Sequence, residues 1–99
     1  MIRLTRQAAR QLSDLRRHYE ALDRIEAVRN LAAVIRQAAE QIEQSPESGF
    51  PAPRPYPHLA RSGRAWVKIG RYWVAYSVAS PPVITGIFYD TANIPDRTK

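Results

Sequence analysis

Ninety-nine residues, 44% hydrophobic and 24% charged, describe one globular domain and leave no room for a second module. The net charge of +6 and the isoelectric point near 10.3 favour an anionic partner, and the lack of cysteine excludes disulfides and thiolate zinc sites. No apolar run approaches the roughly 20 residues that span a bilayer, and Met1 leads straight into polar alternation rather than a signal segment, so a soluble cytoplasmic protein is expected.

Ile2-Arg3-Leu4 alternates and predicts a short strand. Thr5 is placed to cap a helix in which Ala8, Leu12, Leu15, Tyr19 and Leu22 recur at spacings of four and three. Asp23, with Glu26 three residues on, reads as a second N-cap. Val28, Leu31, Ile35, Ala38 and Ile42 carry the next helix to about Gln44, where Ser45-Pro46 stops it. The span 5–44 is therefore expected to be an antiparallel helical hairpin.

Five prolines between Pro46 and Pro57 exclude helix and central strand and predict an extended, semi-rigid connector over about 45–60. From Arg64 the period changes to two. Ala65, Val67 and Ile69 share one face, against Arg64, Trp66 and Lys68. After a turn at Gly70-Arg71, Tyr72, Val74, Tyr76 and Val78 alternate against Trp73, Ala75 and Ser77. Pro81-Pro82 turns the chain into a third run, Val83 to Tyr89, which completes an antiparallel meander over 64–89. Residues 90–99 read as a polar tail, with order expected around Ile94-Pro95. The expected architecture is α+β in a single domain, 1–99: a short N-terminal strand, then a helical hairpin on one face of a three- to four-stranded antiparallel sheet. Only one of Trp66 and Trp73 need face the helices on this reading, leaving the other for the surface.

Charge is unevenly spread along this plan. From Ser48 to Tyr89 no acidic residue occurs, while Arg54, Arg61, Arg64, Lys68 and Arg71 all fall inside. Such a stretch suits nucleic acid, the ribosome or an acidic protein segment.

Four segments in this order resemble the RelE/ParE toxin superfamily over nearly the whole chain. IRLTRQAARQLSDL (2–15) is similar to the opening strand and first helix of ParE-type toxins. ESGFPAPRP (47–55) resembles their proline-rich approach to the sheet, and VKIGRYWVAYSV (67–78) their glycine–arginine–tyrosine hairpin. ITGIFYDTANIP (84–95) resembles their last strand and the segment after it. The resemblance implies the toxin of a type II toxin–antitoxin pair, with growth inhibition and plasmid stabilisation as its roles and a cognate antitoxin as its partner in a hetero-oligomer. It also implies one of two activities: ParE-like inhibition of DNA gyrase, or RelE-like, ribosome-dependent cleavage of mRNA.

Cleavage of RNA without a metal requires a base for the 2′-hydroxyl, cations for the developing phosphate charge and an acid for the leaving oxygen. Lys68, Arg71 and Arg64 are the residues available for the cationic places, with Arg97 as a substitute. The arginine usual in the nucleases falls on Trp73, which has no such charge, and no tyrosine or histidine comes after Tyr89. His18, placed on the first helix away from the sheet, and His58, in the connector, read as surface histidines. No metal-ligand spacing or phosphate loop is visible, so no cofactor is expected. The balance favours the ParE-like branch, with Arg61, Arg64, Trp66, Lys68, Arg71, Trp73 and Tyr89 as contacts for antitoxin or target. The plainer reading of the aromatics is strand packing, and that of the strand cations is protection of sheet edges. A basic nucleic-acid-binding module, or an inactive toxin, remains the alternative outside both activities.

Overall fold

Ile2 is buried and Arg3–Leu4 pair as the short strand β1 in the computed structural model, which describes residues 2–90 and Ile94. Thr5 comes next in extended conformation, and its Oγ1 accepts the Ala8 N–H at 3.1 Å to cap helix α1, Arg6–Ala21. The Thr5 N–H donates to the Ile84 carbonyl at 2.9 Å, so one residue both starts the helix and fastens it to the sheet. Ala8 and Tyr19 are buried on the expected stripe, and Leu12 and Leu15 pack against it half-buried. Leu22, the last residue of that stripe, is 55% exposed instead, because the helix ends one residue before it.

The turn between the helices corrects the expected capping. Asp23 has φ +55° and ends α1 rather than starting the next helix. Its N–H donates to the Glu20 carbonyl and that of Arg24 to the Tyr19 carbonyl, the paired bonds of a Schellman motif with Asp23 at the left-handed position. Arg24 then precedes α2, Ile25–Gln44, with no side-chain cap. The helix buries Leu31, Val34, Ala38, Ala39 and Ile42, while Val28 and Ile35 lie at the margin.

The connector is more structured than its prolines suggest. Two 3-10 turns, Pro46–Ser48 and Pro57–Leu59, each begin on a proline, whose fixed φ suits a first helical position. Between them Phe50 forms an isolated antiparallel bridge to Trp66, with N–H···O distances of 2.7 and 2.8 Å. The Tyr76 hydroxyl donates to the Pro46 carbonyl at 2.6 Å. Gly49 passes so close that a Cβ there would overlap that hydroxyl and stand 2.9 Å from Ala65 Cβ. Only glycine lets the connector lie this flat against the sheet.

Strands β2 (Arg64–Ile69), β3 (Tyr72–Ser77) and β4 (Val83–Tyr89) form the meander, in the order β1-β4-β3-β2. The three are antiparallel, and β1 joins β4 in parallel, making the sheet mixed. Gly70, at φ +59°, supplies the first central residue of the β2–β3 hairpin turn. A register shift beside Ala75 and Tyr76 leaves Thr85 as an extra residue on β4. Val78 falls beyond β3 and is exposed, not the inward residue its alternation suggested.

Two cores result. Ala65, Val67, Tyr72, Val74, Tyr76, Ile84 and Ile87 meet the helices on one face. On the other, Trp66, Trp73, Ala75, Phe88 and Ile94 cluster beneath Tyr56 and Leu59 of the connector. The expectation that one tryptophan faces the helices therefore fails. Both lie on the opposite face, at 0% and 3% exposure, because β2 and β3 pair Trp66 with Ala75 and Lys68 with Trp73 on the same side. Among the described residues, no helix is long and apolar enough to cross a membrane. The polar tail, apart from Asp90 and Ile94, and with it Arg97, lies outside the described residues.

Replacing Asp23 with glycine removes the left-handed strain at the hairpin turn. After allowing for the greater unfolded-state freedom of glycine, Asp23→Gly should add about 0.5–1 kcal/mol of stability. The check is a rise of a few degrees in the midpoint of thermal unfolding monitored by circular dichroism.

Candidate functional site

Of the cations singled out in the sequence, Arg64, Lys68 and Arg71 line one end and one face of the sheet, and all three are already engaged by other groups. Arg64, half-buried, stacks its guanidinium 5.2 Å from the Trp66 ring centre and donates to the Leu59 carbonyl. Burial, and secondarily Arg61, pushes its pKa below the ordinary arginine value. Arg61 itself is exposed in the turn ahead of β2, where its carbonyl accepts the Arg64 N–H. Arg64 therefore fastens the connector to the sheet.

Lys68 and Arg71 converge on Asp90. Arg71 grips both carboxylate oxygens, Nε to Oδ2 at 2.9 Å and a terminal nitrogen to Oδ1 at 3.2 Å, and Lys68 Nζ lies 3.6 Å from Oδ2. The hairpin dictates the meeting. Tyr72 pairs with Tyr89, which sets Arg71 opposite Asp90, and the Asp90 N–H donates to the Arg71 carbonyl at 2.8 Å. Lys68 lies 5.9 Å from the Trp73 ring centre and Arg71 5.2 Å from that of Tyr89, in cation–π range. The Arg71 hydrogen bond, chiefly, holds the Asp90 carboxyl below its usual range, and the same bond raises Arg71. Asp90 was the residue that the sequence reading missed, by assigning it to a polar tail. Its signal was available: it is the first acid after Glu47, and strand counting sets it across from Arg71.

Trp73 and Trp66 offer no open ring face for a partner, since both are buried. Phe50 meets Trp73 edge-on at 6.1 Å, and Arg54 lies over Phe50 at 5.4 Å. Together with Pro55, Lys68 and Asp90 these residues line a cleft of about 430 Å³. Phe50 does not stand out in the sequence, and Arg54 does so only by its charge, because a connector residue gives no periodic sign of reaching the sheet.

A second recess lies on the helix side. Gln11, Asp14, Leu15 and His18 of α1 and Ile87, Phe88 and Tyr89 of β4 border a groove of about 320 Å³. Through Leu15, His18 and Tyr89 it continues into a wider one of about 730 Å³, which Arg24, Glu26, Ala27, Asn30, Arg71, Tyr19 and Tyr72 also line. His18 is thus closer to the sheet than its expected place on the outer helix face. The Tyr19 and Tyr72 hydroxyls bond at 2.5 Å in the floor, and burial, reinforced by that bond, raises Tyr72 well above an ordinary tyrosine. Tyr89 packs edge-on against Tyr72 at 5.4 Å. His58 is exposed in the second 3-10 turn, edge-on to Tyr56, and lines neither groove nor cleft.

Chemically, the cleft offers aromatic surface and cations that are mostly paired. The groove offers tyrosine edges flanked by charges of both signs, Arg24 and Arg71 with Asp14 and Glu26. Among the described residues no group of three histidines or carboxylates is placed to hold a metal ion.

A family model described as the ParE toxin of the type II toxin–antitoxin system, parDE, matches residues 2–88. No curated protein matches the chain.

The Asp90 pairs make a definite prediction for acid. A carboxyl held below its unfolded value, about 3.9, stabilises the fold fully above that value and loses its contribution as pH falls through the folded pKa. Asp90→Asn should therefore lower the melting temperature at neutral pH and match the parent protein in strong acid. Thermal melts from about pH 7 to about pH 2 should show the two curves converging.

Proposed function

We propose that this chain, which belongs to the ParE toxin family of type II toxin–antitoxin systems, inhibits DNA gyrase through protein contact and is neutralised by its cognate antitoxin. The observation that carries this reading over mRNA cleavage is the state of the sheet cations. Lys68 and Arg71 are both spent on Asp90, and Arg64 on the connector. A phosphoryl-transfer site needs such charges aimed at the substrate, with a proton acceptor beside them. The position where the nucleases carry arginine is Trp73, closed in beneath Phe50 and Lys68. The gyrase target itself comes from the family and from no single residue.

One observation favours the other branch. The cleft of Phe50, Arg54, Lys68 and Trp73 combines aromatic edges with cations, the pairing that single-stranded nucleic acid uses. The two readings separate in one assay. Gyrase supercoiling reactions containing the purified protein, quenched with detergent, should accumulate linear plasmid that depends on both gyrase and ATP. Unchanged supercoiling by folded protein would overturn the proposal and direct attention to ribosome-bound mRNA, with Lys68 and Arg71 as the first substitutions.

The antitoxin half has its own measure. A partner that binds only the folded form stabilises it by RT ln(1 + [L]/Kd), about 2.7 kcal/mol at a hundredfold excess over Kd. The melting temperature should therefore climb with the logarithm of antitoxin concentration. A midpoint unmoved by the product of the neighbouring gene would defeat it.

A further inference from the structure

Of the described residues that border the cleft under Phe50, Asp90 alone is acidic, while Arg54 and Lys68 are basic. The Asp90 carboxylate is held much as a bound phosphate would be. Its two oxygens sit on the Arg71 guanidinium, at 2.9 and 3.2 Å, and one of them lies 3.6 Å from Lys68 Nζ. A bidentate arginine joined by a second cation is a common way for a protein to grip phosphate oxygens. Here the anion belongs to the chain itself.

That anion is placed to be exchanged. The Arg71 and Lys68 side chains are 60% and 42% exposed, and ion pairs so open to water contribute little to stability. The Asp90 backbone is fastened separately, by its N–H to the Arg71 carbonyl at 2.8 Å, so the carboxylate can turn to another rotamer without disturbing the strands. The cleft also holds what a base needs. Phe50 is 43% exposed, with the Arg54 guanidinium 5.4 Å from its ring centre, and Arg54 has no ion pair among the described residues. A base can stack on that aromatic and guanidinium surface while its phosphate takes the freed cations. An acidic peptide would use the cations alone and leave Phe50 without a role.

We propose that Asp90 is an internal substitute for phosphate, closing a single-stranded nucleic-acid site made by Phe50, Arg54, Lys68 and Arg71, and that a phosphate of the incoming strand displaces it. The contact is autoinhibitory: the sheet cations are withheld from anions in general and released to a ligand that also stacks on Phe50. This goes beyond the gyrase reading and is independent of it, since inhibition through protein contact requires no nucleic acid in the cleft.

The probe is a short fluorescein-labelled oligothymidylate, followed by anisotropy over a range of salt concentrations. Asp90→Asn keeps the backbone bond and removes the charge, and should bind the probe about tenfold more tightly than the parent protein. Its log K should also fall more steeply with log salt, by about 1.4, for two added phosphate contacts at about 0.7 each. Glu40→Gln changes the net charge equally on the exposed side of α2 and should leave the affinity at the parent value. Adding Phe50→Ala to Asp90→Asn should remove most of the gain. Parent-like binding by Asp90→Asn, or a gain matched by Glu40→Gln, overturns the proposal. An equal gain for labelled polyglutamate overturns the nucleic-acid assignment and points to an acidic protein segment. If Asp90→Asn does not fold, nuclear magnetic resonance of the parent protein decides. Oligothymidylate should shift the Arg71 Nε–H and Trp73 indole signals, and signals unmoved at the highest concentration reached overturn the site.

Discussion

β3 buries five of its six residues, Tyr72 through Tyr76, and they point alternately to both faces of the sheet. A strand buried on both sides requires two covers, and among the described residues a single helical hairpin is there to provide them. The connector is the second cover. That requirement explains why its prolines form tight turns instead of an open tether, why Phe50 bridges Trp66, and why Gly49 has no room for a side chain. Burying Trp66 and Trp73 beneath it also fixes the sheet register, since a slip of β2 or of β3 by one residue would turn that strand's ring into the helices.

The sequence was most legible where one periodicity ran unbroken. The stripe of α2, the alternation of β2 and β3 and the cap at Thr5 each come from local spacing, and their order led to the α+β plan. Asp23 misled because an aspartate before a helix and an aspartate after one satisfy similar local preferences; the bonds to Glu20 and Tyr19 chose the second. Leu22 and Val78 misled because each extended a pattern by one residue past the end of its element. The tryptophans misled for a different reason. Alternation separates the two faces of a strand, yet it does not say that the outer face has a roof.

The candidate site was legible in its cations and not in their partners. Five basic residues without an intervening acid suggest an open positive surface, and Lys68 and Arg71 do project from the sheet. Their convergence on Asp90 turns that surface into a local ion-pair network, and Arg64 serves the interior. Exposed pairs of this kind contribute little to stability. Their larger effect is on recognition, since they mask charge that composition alone would assign to nucleic acid. Backbone groups are less legible still, since nothing in the sequence shows that the Ile87 N–H of β4 is received by the Gln11 side chain and not by a neighbouring strand.

The bridge between Phe50 and Trp66 has a consequence for assembly. It blocks the outer edge of β2 at its midpoint, so a strand cannot lie along that side. With one side stopped, the sheet has a valence of one. Growth into a fibre needs two reactive ends on every unit, as a polymer needs difunctional monomers, and a sheet with one end capped can only terminate a chain. The connector thus lets the molecule keep a hydrogen-bonding edge at β4 without the risk of end-to-end polymerisation that such an edge ordinarily carries.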